Sequence, residues 1–248
     1  MRRFSLLLAL LVTTSGLLPA AVTLDSSGTL EKVIPTGSPA QAAVEAFNKG
    51  RYFEAVRLAR PLAESGDADA LLIMGLAHAS GQGAEPSRDL AIESLRKAGV
   101  AGNEEASYRL ARLLVDQGEE GGRIEARMIL EKLAKKDTGA AARMLGEGSL
   151  RGWFGGEADF EKARSWWASS TEKGDVTAIL ALARLLDGNL GFPEERDPAL
   201  ALKWFVEAAE LDNPAAMVAA GSRFLNGDEA LRDEKRGREW LAKAIENE

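Results

Sequence analysis

The feature that most constrains this chain is self-similarity with a period near 36 residues, running from about residue 40 onward. One column pairs an Ala with a large apolar residue or Ala four places on, then at once Gly or Ala. It reads Ala70/Met74/Gly75, Ala106/Leu110/Ala111, Ala141/Leu145/Gly146, Ala178/Leu182/Ala183 and Ala216/Ala220/Gly221, in steps of 36, 35, 37 and 38. A second column, 20–23 residues further on, reads Ala91, Ala126, Ala163, Ala201 and Gly237, in steps of 35, 37, 38 and 36. Two columns that drift together describe a repeated supersecondary unit.

Each period divides into two helical halves. Apolar residues fall at helical spacing in the first half, as in Leu72-x-x-Leu76 and Leu110-x-x-Leu113-Leu114. Turns follow at Gly81-Gln82-Gly83, Gln117-Gly118, Gly152, Gly188-Asn189 and Asn226-Gly227. Charged amphipathic helices are then predicted over about 88–98, 123–135, 160–171, 199–210 and 234–246. Units close on Gly66-Asp67, Gly102-Asn103, Lys136-Asp137, Gly174-Asp175 and Asp212-Asn213, where Gly takes the left-handed position and Asp or Asn caps the next helix. The small residues at 70, 75, 106, 111, 141 and 146 let paired helices approach closely.

The order Ala-x-x-x-Leu-Gly-x-x-Tyr-x-x-Gly-x-Gly, then Ala-x-x-Trp-Tyr-x-Lys-Ala-Ala and Gly-Asp, is the pattern these residues follow, and with it the chain resembles the Sel1-like repeat family, relatives of the tetratricopeptide repeat. It is carried by Ala70, Met74, Gly75, His78, Gly81 and Gly83; by Lys162-Ala163-x-x-Trp166-Trp167; by Leu200-Ala201-x-x-Trp204-Phe205-x-x-Ala208-Ala209; and by Trp240-Leu241-x-Lys243-Ala244. Residues 40–66 are closer to the tetratricopeptide pattern, through Ala46-Phe47-x-x-Gly50-x-Tyr52-x-Glu54-Ala55. The third unit diverges most, with Ile129-Leu130 in place of the aromatic pair and Gln117 and Glu119 in place of the two glycines. The resemblance implies an all-α chain: a right-handed superhelical solenoid of about six α-hairpins with a concave face. The units are expected at about 40–66, 67–102, 103–136, 137–174, 175–212 and 213–248. The helix over 234–246 is expected to be marginally stable or to pack against something else.

Met1-Arg2-Arg3, the apolar run 4–12 and the small residues 13–21 have the order of a secretory signal peptide, cut near Ala20 or Ala21. The run is shorter than the roughly 20 apolar residues of a membrane-spanning helix. Residues 22–39 are expected to be a flexible leader, and the product to be exported: periplasmic, or alternatively secreted, with no integral membrane segment after cleavage. The absence of cysteine excludes disulfides, thiolate metal sites and thiol catalysis. A net charge of −7 argues against a nucleic-acid partner.

Candidate chemistry is sparse. The only histidine, His78, has no neighbours that complete a triad or metal site, and it sits where the family packs an aromatic. Gly81-x-Gly83 lacks a preceding strand and is a turn, not a phosphate loop. No catalytic residue, cofactor or metal ligand is expected. Trp166, Trp167, Trp204, Phe205 and Trp240 recur on the second helices and are expected in the stacking core. Trp153 and Phe154, in a Gly-flanked loop, and Phe192, in the corresponding turn one unit later, either anchor an interface or tuck onto their own helices. Arg112, Arg184 and Arg223 recur at or within one place of the same first-helix position, with Arg109 and Arg143 nearby. On a concave face they would form a cationic ladder for peptide carboxylates; otherwise they pair with nearby acids such as Asp116, Glu147 and Asp187. The resemblance implies a non-enzymatic adaptor for a protein or peptide in the cell envelope. The alternatives it leaves are a β-lactam- or peptidoglycan-related enzyme and a glycan-binding protein.

Overall fold

A computed structural model describes residues 37–247 apart from 137, 138, 173, 189 and 191. The expected signal peptide, most of the expected leader and the Asp137 end of the third closing motif lie outside the described residues. Twelve α-helices and two short 3-10 turns, at 193–195 and 229–231, account for the regular structure among them, and no strand is present. The all-α expectation holds. The chain divides into two compact units, one ending at Ala101 and one beginning at Gly102.

The first unit holds α1 (Gln41–Asn48), α2 (Tyr52–Glu64), α3 (Ala68–Ser80) and α4 (Arg88–Val100), each packed on the next. Phe47 meets Tyr52 edge-on across the α1–α2 turn, with ring centroids 5.1 Å apart. On α3, Gly75 lies against Leu95 of α4, so close that a Cβ there would come within 2.6 Å of the Leu95 side chain. The smallest residue of one helix thus receives the large apolar residue of its partner.

The second unit repeats that scheme with α5 (Glu104–Gln117), α6 (Glu120–Lys135), α7 (Gly139–Leu150), α8 (Phe160–Thr171), α9 (Val176–Leu186), α10 (Pro198–Glu210), α11 (Pro214–Asn226) and α12 (Glu234–Glu246). Gly146 on α7 faces the Trp167 indole of α8, and Gly221 on α11 faces Leu241 of α12. Trp167 and Phe205 are buried, while Trp204 and Trp240 are half-buried and packed against the same core. The aromatics at 167, 204, 205 and 240 therefore belong to the core, Trp167 filling the space opposite Gly146, while Trp166 is half-buried. The last helix, α12, packs along α11 through Gly237 and Ala244, although Ile245 on its other side stays exposed.

The caps follow the closing motifs. Asp67, Asn103, Asp175 and Asn213 accept hydrogen bonds from backbone N–H groups in the first turns of α3, α5, α9 and α11. Such a bond contributes about 1 kcal/mol. Gly66, Gly102 and Gly174 take φ of +90°, +99° and +74° ahead of three of these caps. Asp212 holds the same place before Asn213 at φ +58°, and no other described non-glycine residue has positive φ. Ser87, Asp159, Asp197 and Asp233 cap the second helices in the same way. Among the second helices from α4 onward, only α6 begins without a side-chain cap bond, at Glu119. It also starts at Glu120, earlier than the expected 123, because Gly121 and Gly122 continue the helix; Gly122 lies against Leu114 of α5.

Candidate functional site

The five arginines singled out by spacing separate into two groups. Arg109 is 7% exposed and ion-paired with Glu105 one turn earlier on α5. Arg143 on α7 donates to Asp175 at 3.0 Å. That carboxylate also caps α9 and accepts from the Ser170 hydroxyl at 3.3 Å, so Asp175 ties three helices together. Arg223 on α11 pairs with Asp187 at the end of α9 and donates to the Ala219 carbonyl at 3.1 Å. Its guanidinium carbon lies 4.3 Å from the centre of the Phe205 ring. These three cations are engaged by the protein itself.

Arg112 and Arg184 differ. Each lies six residues after the leading alanine of its unit, on α5 and α9. Arg184 is exposed and Arg112 half-buried, and neither has a carboxylate partner among the described residues. The same register carries Glu147 on α7, which pairs with Arg151 at 3.1 Å, and Ser222 on α11. The second unit therefore presents two uncompensated guanidiniums at equivalent positions, each able to donate two parallel hydrogen bonds to a carboxylate.

The loop aromatics mostly fold back. Phe154 rests on α7 where Gly148 leaves room; a Cβ there would come within 2.2 Å of its ring. Phe192 packs against the core, with its ring centroid 5.6 Å from that of Phe160. Trp153 is half-buried, with the Arg151 guanidinium carbon 5.5 Å from its ring centre. His78 does structural work: its ring Nδ1 lies 2.9 Å from the Glu85 carbonyl oxygen, and its own carbonyl accepts from the Ser87 N–H at 2.9 Å. Both bonds hold the turn that leads into α4.

A small open cleft of about 220 Å³ lies among Asp187, Arg196, Ser222, Arg223, Asn226 and Asp228. Its charges are matched in pairs, Arg223 with Asp187 and Arg196 with Asp228 at 2.8 Å. The Arg–Asp ties Arg143–Asp175, Asp187–Arg223 and Arg196–Asp228 span 32, 36 and 32 residues, about one period. Opposite charges one period apart were a sequence signal that spacing within single helices does not reveal. No group of three or more His, Asp or Glu among the described residues is placed to hold a metal ion, and no helix is long and apolar enough to cross a membrane.

A family model described as Sel1 repeat matches residues 68–103, 139–175, 177–213 and 214–248, more than half of the chain. No curated protein matches it at a significant level. Among solved structures, a Sel1 repeat protein from Oxalobacter formigenes is similar at 20% identity and a TM-score of 0.65, over 84% of this chain and 85% of that one. A protective antigen of uropathogenic Escherichia coli, c5321, with an SLR fold, is similar at 22% identity and a TM-score of 0.66. That match takes in 89% of this chain but 48% of the longer antigen. At these identities the likeness is one of fold.

Proposed function

Since the chain belongs to the Sel1 repeat family, we propose that it is a non-enzymatic interaction module of the cell envelope whose α5 and α9 helices grip an acidic protein or peptide through Arg112 and Arg184. Proteins built from this repeat generally mediate protein–protein interactions and are typically scaffolds without catalytic chemistry. The observation that carries the finer reading is the sorting of the arginines. Arg109, Arg143 and Arg223 are neutralised by Glu105, Asp175 and Asp187, whereas Arg112 and Arg184 keep unpaired charge at one register of the repeat. A carboxylate-bearing partner would supply what the protein does not. Export to the periplasm is part of the proposal, supported by the cationic start and short apolar run at residues 2–12.

Affinity capture from envelope extract, compared between the wild-type chain and an Arg112→Glu/Arg184→Glu variant, tests the reading. Loss of an acidic protein retained by the wild type, and its recovery by Arg112→Lys/Arg184→Lys at reduced strength, is the expected result. Equal retention by the charge-reversed variant would remove the assignment.

A further inference from the structure

The second helix of the third repeat departs on its exposed side from the four other helices that carry the second small-residue column. Counting two residues before and two after the small-residue column gives Asp89 and Glu93 on α4, Glu161 and Ser165 on α8, Ala199 and Lys203 on α10, and Lys235 and Glu239 on α12. On α6 the same two places hold Ile124 and Met128, exposed by 41% and 63%. They stand one turn apart on one side of the helix. The family model passes over this repeat, resuming only at residue 139.

The charges around the pair are arranged with a sense of direction. Glu120 opens α6, and Lys132 and Lys135 lie in its last turn. All three are exposed, and none has an ion-pair partner among the described residues. Gly121, beside Glu120, is also exposed, and nothing lies within 4 Å of where its Cβ would be. These positions are symmetric about residue 126: 124 mirrors 128, and 120 mirrors 132.

We propose that a second copy of this chain docks on α6, with the two α6 helices antiparallel about a two-fold axis near Ala126. Ile124 of each copy then meets Met128 of the other, and Glu120 of each meets Lys132 of the other. Gly121 lets the backbones come close at both ends of the contact. An interface of this kind is isologous, the same patch serving both copies, and an antiparallel pair is the arrangement in which this helix is complementary to itself. A parallel pair would set Glu120 on Glu120 and Lys132 on Lys132. Two apolar side chains per copy fall well short of the roughly 800 Å² that each partner of a stable interface buries, so the dimer is weak, with a dissociation constant of about 10–100 μM. This surface is separate from Arg112 and Arg184 and does not depend on their role.

Sedimentation velocity of the full chain across concentrations bracketing that range tests the proposal. The wild type is expected to pass from monomer to dimer, and Met128→Glu to weaken association at least tenfold, or about one decade in the dissociation constant. Lys132→Glu sets like charges against each other and is expected to weaken it similarly. Combining Lys132→Glu with Glu120→Lys restores opposite charges across the axis and is expected to recover association to within about threefold of the wild type. All of these positions are exposed, and circular dichroism confirms the helical content of each variant. A wild type that stays monomeric throughout, association that Met128→Glu leaves unchanged, or a double reversal that fails to recover it would each overturn the proposal.

Discussion

Replacing Gly146 by alanine tests the packing rule that joins successive helices. A Cβ at that position would stand 2.5 Å from both Cδ1 and Nε1 of Trp167, closer than real contacts allow. The indole is 3% exposed, and its Nε1–H donates to the Arg143 carbonyl at 3.0 Å, so it has no free direction in which to retreat. Overpacking of this kind costs about 1–3 kcal/mol. Disturbing the indole hydrogen bond costs about 0.5–1.5 kcal/mol. Alanine's better helix propensity returns about 0.5–1 kcal/mol. The net expectation is a loss of about 1–3 kcal/mol, lowering the urea midpoint by roughly 1 M at ordinary denaturant slopes. Tryptophan fluorescence and circular dichroism should both report it. Gly121→Ala is the internal control, since its Cβ would meet nothing within 4 Å; it should stabilise by about 0.5–1 kcal/mol. If Gly146→Ala matched the wild type or exceeded it, the pairing of small and large residues between helices would not be what sets their spacing.

Asp212→Gly should raise stability by about 0.5–1 kcal/mol, since glycine takes a positive φ without the strain that the aspartate carries there; a lower thermal midpoint would contradict this. The arginines should sort by stability as they do by geometry. Arg143→Ala and Arg223→Ala are each expected to cost about 1–2 kcal/mol in chemical denaturation, a range reduced from that of fully buried pairs because these side chains are partly exposed. Arg112→Ala and Arg184→Ala should stay within about 0.5 kcal/mol of the wild type. At the start of α8, the Lys162 ammonium and its backbone N–H both bond Asp159, which holds that carboxyl below the usual aspartate range. The folded value being the lower one, this stabilisation is present above the unfolded pKa of about 3.9 and is lost as pH falls through the folded value. The urea-midpoint gap between the wild type and Asp159→Asn should therefore be constant near neutrality and close in acid; a gap that widens in acid would reverse the sign.

The hairpin architecture was legible because it depends on columns that recur: Gly75 and Gly146 with the large residues they receive, and the Gly-Asp and Gly-Asn closers that became caps at Asp67, Asn103 and Asp175. Helix α8 occupies its expected span, as does α12. The start of α6 was not legible, because two successive glycines are poor helix formers by propensity, whereas the helix runs through both, with Gly122 against Leu114. Recurrence brought the arginines to notice but could not sort them. Whether Arg223 or Arg184 is neutralised depends on a carboxylate from another element, and Asp187 reaches Arg223 across one full period. The aromatics at 154 and 192 carried the same ambiguity, which is resolved by Gly148 leaving room beneath Phe154 and by Phe160 lying beside Phe192.

Site-specific photocrosslinking tests the proposed role of the α5 and α9 arginines most directly. A photoreactive residue placed in turn at 112 and 184, with Lys203 on the exposed side of α10 as the control position, should yield the same acidic partner from the first two sites and none from the third. Equal adducts from all three positions, or adducts from 203 alone, would contradict the account.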